Sequence, residues 1–500
     1  MKGARPGTAA RPPWRRAARA GAASGLLAVS LSLALQLLGL PGLLQAVGGG
    51  LVVLIPGPVF GTLIDALQER GRPLLVLGTA LLLVVVAGAA AVLISRFRAS
   101  RWQVALLGAA GIWLLTLPLV VAAEGGLGTS ATWATLLEWL VALLPPNLPQ
   151  LARGRRAGSP RRDLLGGTLS RRSFLELVGG SLGVVSLGYL GVRAIAAAPP
   201  APASGSTLGR LPAPVTPAGD FYVVSKDLFG PPRISGSSWR LSVAGTRALS
   251  LSLAEISAMP QVEQFQTLEC ISNPVGGTLI SNGSWRGVPL ARLLELTGVP
   301  AGTDQLVFQC ADGYTESLEL AQGVHPGTLL ALRLDGRPLP AEHGYPARIL
   351  APGLYGMKNP KWLTGIRFTK GSYAGYWEQQ GWNPAALPRI FSRFDFPAAN
   401  GQLSGGRRYL LSGVAYAGLR GISQVEVSVD GGRSWRRANL QLPLSPYCWT
   451  IWSLLWTPAP GLYQLTVRAT DGSSRPQTTR ATGSYPEGAT GLQQLQVEVG

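Results

Sequence analysis

The 500-residue chain carries a formal net charge of +19, and its composition changes sharply near residue 200. Residues 1–173 hold 18 Lys and Arg against 5 Asp and Glu; these charges flank apolar stretches, as the positive-inside rule requires, which argues against a nucleic-acid footprint. All three Cys and both His lie beyond residue 265, so no disulfide framework, zinc cluster or bis-histidine haem between membrane helices is expected, and no C-x-x-C-H site exists.

After a basic cytoplasmic tail (1–20), residues 21–147 predict a multi-span α-helical membrane region. Four spans are expected at Ala22–Leu40, Val47–Ala66, Pro73–Ile94 and Trp102–Ala122. A fifth stretch, Gly126–Leu144, carries Glu138 between Trp133 and Trp139, and fits either a span or an interfacial helix.

A basic cytoplasmic segment (148–173) then leads into "TLSRRSFLELVGG" from Thr168, in which Ser170, Arg171, Arg172, Phe174 and Leu175 match the twin-arginine export pattern. The alternative is an ordinary Arg-flanked membrane helix. A final membrane helix (174–198) and a Pro/Ala/Ser linker (199–215) follow. Both the tail and the Arg pair belong on the cytoplasmic side, so an even number of spans separates them; four fit, at the cost of leaving Arg96, Arg98 and Arg101 outside. The twin-arginine machinery carries folded proteins, which predicts a buried cofactor beyond residue 200.

From Phe221, strand-like segments ("RLSVAG", "LVFQCADGY", "ARILAP") alternate with helical "LARLLELTG", which ends at Gly298, giving a mixed α/β domain over 216–395. Over 396–500 the pattern is all-β, with a tight turn at Asp430-Gly431-Gly432, and predicts an immunoglobulin-like sandwich.

Four ordered blocks, "FQTLECISN", "GSWRGVPLARLLELTGV", "RPLPAEHGYPARILAPGLYGMKNPKWLTGIRF" and "GVAYAGLRGISQVEVSVDGGRSWRRANL", make residues 210–500 resemble the sulfite oxidase family of molybdopterin enzymes. The resemblance implies a molybdenum–molybdopterin cofactor and a dimerisation-type C-terminal domain. It gives Cys270 the role of metal thiolate, a ligand type that suits a soft, oxidisable metal. It also implies cofactor contacts from His343 and Arg348 in "EHGYPAR", and a phosphate wrap by backbone N–H groups over Asn359, Pro360 and Lys361, with the Lys361 ammonium. Ser225 and Lys226 in "FYVVSKDL", Cys310 and Asp312 in "FQCADGY", and Asn273 just after the metal Cys complete the cofactor candidates; Cys448 is expected in the core.

Two departures bear on substrate. Sulfite oxidases carry Arg shortly after the metal Cys, whereas this chain has Asn273, Pro274 and Val275, and the pocket Tyr expected after "YWE" is replaced by Trp382, the second catalytic candidate. The expected protein is a multi-pass cell-membrane oxidoreductase with its catalytic domain on the periplasmic or extracellular side, transferring oxygen atoms to or from a small sulfoxide- or sulfite-like molecule. A separate electron carrier is expected, because no second redox motif is present, and a homodimer fits the C-terminal domain. The rival reading is a non-catalytic anchored module on a relic fold.

Overall fold

The computed structural model describes residue 22 and residues 25–33, 43–67, 71–94, 209–226 and 230–500. The expected spans at 102–122 and 126–144, the twin-arginine segment, the last membrane helix and the linker up to 208 lie outside the described residues. The chain divides into two compact units, one mostly of N-terminal residues, the other holding Ile55–Gln68, Pro199–Lys226 and Gly230–Gly500.

In the first unit, residues 25–33 and the helices Leu43–Leu54 and Gly71–Ile94 pack through Ala28, Val29, Leu43, Leu44, Leu83 and Ala87. Gly25 permits backbone contact with Val84, and Ser32 Oγ accepts the Leu44 N–H at 2.9 Å. The stretch expected as one span at Val47–Ala66 is broken: one helix ends at Leu54 and another runs Gly57–Leu67. Pro56 forces Ile55 out of the helical region, whereas Pro58 falls in the new first turn, where its missing N–H costs nothing. Among the described residues no single helix is long and apolar enough to cross a membrane; the broken pair has the length and composition to do so together.

The second unit begins with two five-stranded sheets. One orders its strands Ala248–Ser252, Arg240–Ala244, Leu363–Thr369, Gln305–Cys310, Thr315–Glu319; the other is built on Val262–Glu269, Ile280–Pro289 and Leu329–Leu334, with Arg348–Leu350 against the last. Between them the helix Leu290–Thr297 buries Leu290, Leu293 and Leu294, and ends at Gly298, whose φ of 69° suits a residue without Cβ. Each such Leu contributes about 1.5–3 kcal/mol by leaving water. The short helix Leu253–Ser257 starts at a capping box formed by Ser252 and Glu255.

Beyond residue 390 the chain is all-β. A four-stranded sheet (Phe391–Phe396, Tyr409–Tyr416, Thr450–Trp456, Asn439–Leu440) and a five-stranded sheet containing Ile422–Ser428, Gly461–Asp471 and Gln493–Val499 close on a core of Leu411, Val425, Val427, Trp452, Leu465, Val467 and Val497. The Asp430 turn closes a hairpin between Ile422–Ser428 and Arg436–Arg437, and its carboxylate takes the N–H groups of Arg433 and Ser434. The β region docks on the α/β region beside the strand that ends at Glu269. Trp449 N–H donates to Thr267 Oγ1 at 2.9 Å, Ser445 Oγ to the Phe265 carbonyl at 2.6 Å, and Arg393 Nη1 to the Gly277 carbonyl at 2.9 Å. Cys448 is buried at this junction.

Candidate active site

Cys270 emerges where the strand Val262–Glu269 ends and the chain turns. Its N–H donates to the Leu279 carbonyl, its carbonyl accepts from Asn273, and Sγ lies 3.1 Å from Ser272 Oγ. Burial pushes the Cys270 thiol up, with the Ser272 hydrogen bond opposing; coordination to a metal deprotonates such a thiol outright. Asn273, a cofactor candidate, braces this turn: Nδ2 donates to Glu269 Oε1 and Oδ1 accepts the Leu279 N–H, both at 3.0 Å. Glu269 is itself a buried carboxyl, pushed up to about 8 by desolvation.

The segment leading to Lys226 and the turn at Ala341–His343 form the next wall. His343 is 2% exposed, and its Nε2 lies 3.0 Å from the Ala218 carbonyl. A carbonyl only accepts, so Nε2 carries the proton and Nδ1 is left as an acceptor. Burial, then the Arg348 charge, pushes His343 down to about 4, so the ring is neutral at physiological pH.

Arg348 is also buried. Nη1 and Nη2 donate to the carbonyls of His343 (3.1 Å) and Asn359 (2.9 Å), the guanidinium lies 5.3 Å from the Trp285 ring, and Nε has no hydrogen-bond partner among the described residues. Desolvation lowers it to about 10, which leaves it charged.

The loop Gly356–Lys361 is held partly by its own hydrogen bonds. Asn359 N–H is spent on the Gly356 carbonyl, its amide accepts from Ala351 and donates to the Tyr355 carbonyl, and Pro360 has no N–H to offer. Lys361 Nζ donates to the carbonyls of Val224 and Glu342, each at 3.0 Å, above the Trp362 ring. It therefore joins the Ser225–Lys226 segment to the His343 turn. Lys226, 5.6 Å from the Tyr376 ring, and Arg348 both favour the thiolate of Cys310, while burial and Asp312 push that thiol well up. Asp312 Oδ1 accepts the Tyr314 N–H at 3.0 Å. Ser225 is half-buried beside Lys226.

Trp382 packs beside Ile271, the residue after Cys270. It packs in one cluster with Ile271, Tyr355, Met357 and Ala386, is 3% exposed, and keeps its indole N–H buried without a hydrogen-bond partner among the described residues.

Sequence reasoning missed two features. Tyr222, inside the quoted "FYVVSKDL", approaches Gly356 with its hydroxyl and is pushed well up by burial and then by Cys270. Lys358 is held in a buried trio. Its ammonium donates to Glu316 (2.9 Å), to the Ser317 carbonyl (3.1 Å) and to Glu378. Nothing local in sequence signals this, because the three residues come from separate elements.

Desolvation pushes Glu316 up to about 7, with Lys358 opposing and Glu378 adding to it. Folding thus favours its neutral form, so the stability it supports is full below its ordinary pKa near 4.5 and is lost as pH rises through 7. Glu316→Gln is expected to remove that loss: the variant should gain on the order of 2 kcal/mol relative to the parent between pH 4.5 and 8. Urea unfolding at several pH values checks this, and parallel stability curves would contradict it.

These residues fit a molybdenum–pterin cofactor. They supply a soft sulfur ligand, a buried guanidinium with an unpartnered N–H for an anionic oxygen, a neutral imidazole with a ring nitrogen left to accept, and a lysine held beside them. Residues 229–377 match the oxidoreductase molybdopterin binding domain family, and 397–484 match the Mo-co oxidoreductase dimerisation domain family. The uncharacterized oxidoreductase YuiH of Bacillus subtilis is 32% identical over 160 residues, 32% of this chain and 79% of that protein. The sulfite oxidase of Gallus gallus is 30% identical over 274 residues, 45% of this chain and 59% of that one.

The chain belongs to the sulfite oxidase family of molybdenum-dependent oxidoreductases.

A putative protein-methionine-sulfoxide reductase subunit, YedZ1 of Azospira oryzae, is 37% identical over 152 residues, 30% of this chain and 56% of that protein. The chain spans only a little over half the length of that relative and of the Gallus gallus enzyme. The sulfane dehydrogenase SoxCD from Paracoccus pantotrophus shares the sulfite oxidase fold with a TM-score of 0.51 at 23% identity, covering 57% of this chain and 81% of that one.

Proposed function

We propose that this sulfite oxidase family member transfers an oxygen atom to or from a small neutral S-oxide, exchanging two electrons with a separate carrier. What supports this reading is that no cation follows Cys270 where the family carries an Arg: the chain continues Asn273, Pro274 and Val275. Asn273 is turned away onto Glu269, Lys358 is neutralised by two carboxylates, and the Trp382 indole N–H is a buried polar group. A neutral donor suits a sulfoxide oxygen. A sulfite-like dianion would lose charge-assisted contacts of about 1.5–3 kcal/mol each, roughly tenfold or more in affinity per contact.

When bound, the cofactor supplies the two-electron oxygen-atom chemistry. Cys270 would hold the metal, while Arg348, Lys361 and His343 would hold the anionic and polar parts of the pterin. Tyr222 and Trp382 exclude water and orient substrate; the Asn273 brace fixes the turn that presents the thiolate. Steady-state kinetics of metal-loaded enzyme with methyl sulfoxides and with sulfite tests the reading: sulfoxide turnover is expected, and a micromolar sulfite KM with rapid turnover would overturn it.

The same proposal places the catalytic region outside the cytoplasm, tethered by a multi-span membrane region and exported through the twin-arginine route, with an immunoglobulin-like C-terminal domain that pairs in a homodimer. Its support is the arrangement of apolar blocks and arginines before residue 200. Replacing Arg171 and Arg172 by Lys is expected to hold cofactor-loaded protein inside. Protease digestion of intact spheroplasts that still removes residues beyond 210 would contradict the export reading.

A further inference from the structure

The long connection between the strands Gly461–Asp471 and Gln493–Val499 does more than join them. Pinched by a bridge between Thr482 and Thr490, it extends a loop onto the α/β region, and from Tyr485 on it lies past the end of the matched dimerisation domain. Its contacts converge on one short segment. The Pro486 carbonyl accepts the Asn383 N–H at 3.1 Å, Glu487 takes the Asn383 amide and pairs with Arg389, and Gly488, at φ 91°, sits so close to the Tyr355 hydroxyl that no side chain fits. At the centre, the Tyr485 ring meets Trp382 edge to face with centroids 5.2 Å apart.

The geometry leaves Trp382 few other restraints. Its indole N–H has no protein partner among the described residues, so its ring is set by packing alone. Ile271, Tyr355, Met357 and Ala386 share its buried cluster, and the partly buried rings of Trp377 and Tyr485 pack against that cluster, Tyr485 making the edge-to-face contact. The Tyr485 hydroxyl donates to the Gln380 carbonyl at 3.4 Å. Gly381, at φ 89°, lets its hydroxyl approach the chain just before Trp382, and Gly57 and Gly61 of the helix Gly57–Leu67 leave room for it on the far side.

We propose that Tyr485 is a positioning residue which holds the Trp382 ring in the pocket wall and thereby sets the bulk of the substrate admitted. The proposal rests on Trp382 being part of the substrate pocket. Tyr485 need not touch substrate: it acts through the indole. An edge-to-face contact fixes ring orientation as well as position, so removing the Tyr485 ring lets the indole swing into the space it leaves and widens the site.

The test uses full-length, cofactor-loaded protein carrying Tyr485→Ala, Tyr485→Leu or Tyr485→Phe. Hydrogen–deuterium exchange over residues 376–388 and steady-state kinetics with dimethyl sulfoxide and methyl phenyl sulfoxide are measured on each. Tyr485→Ala and Tyr485→Leu are expected to raise exchange over 376–388 without changing the strand 450–456. They should also shift the kcat/KM ratio by about tenfold toward the bulkier sulfoxide, mostly through KM. Tyr485→Phe should restore both readouts, since the ring carries the contact.

Unchanged protection over 376–388 in both truncations overturns the proposal, and so does raised exchange with an unaltered substrate ratio. Leu keeps apolar volume in the loop, so it decides the matter if the Ala variant does not fold. A parent enzyme inactive toward both sulfoxides would sink the sulfoxide reading instead, and exchange alone would then judge Tyr485.

Discussion

Cys270→Ser is expected to abolish turnover while leaving a folded protein. The side chain changes by one atom, and its backbone bonds to Leu279 and Asn273 do not depend on sulfur, so the turn keeps its shape. The chemistry does not survive, because a hard hydroxyl replaces a soft thiolate at the one position that presents sulfur at the end of the strand. Loss of even an outer-shell partner of a metal site costs about 10–100-fold, and loss of the ligand itself should exceed that. Activity and bound molybdenum measured on the same preparation, with far-UV circular dichroism as the fold control, check the result; activity within tenfold of the parent would remove Cys270 from the metal.

Arg348→Met should be the next most damaging change, by another route. Two carbonyls, of His343 and Asn359, lose their donors, at about 1–3 kcal/mol each for buried groups left unsatisfied. The cofactor loses the unpartnered Nε N–H and its positive charge, roughly tenfold to a hundredfold in affinity. Molybdenum per protein should therefore fall along with Tm. Arg348→Lys should restore little, because an ammonium cannot span both carbonyls and still reach a third acceptor with the geometry of a planar fork. Full metal occupancy in Arg348→Met would move the anionic end of the cofactor elsewhere.

How far the site could be read from sequence followed the kind of contact involved. Cys270, His343, Arg348 and Lys361 stand in blocks with ordered spacing, and the structure brings them to one side of the α/β region. Asn359 and Pro360 were legible as a loop but not in their detail, since sequence does not show which N–H groups a turn spends on itself. Asn273 fell where a substrate-binding Arg was expected, yet its amide pairs with Glu269, four residues back along the chain. The Glu316–Lys358–Glu378 trio and the Tyr485–Trp382 contact join residues 20 to more than 100 positions apart, and no period or motif encodes them. The α/β and all-β texture was readable from alternation. The break at Ile55–Pro56 was readable too, but an apolar block of spanning length outweighed two prolines.

The buried trio also constrains how this sequence can drift. It holds two acids and one base out of water, and removing the single base leaves buried carboxyls without their counter-ion, at a cost of several kcal/mol. The order of replacement then matters. Neutralising Glu316 or Glu378 first leaves a matched pair, a tolerable intermediate; losing Lys358 first leaves two acids with no counter-ion, a step few folds of ordinary stability survive. Substitution at these three positions is thus a directed path rather than three independent events, with the lysine the last to go.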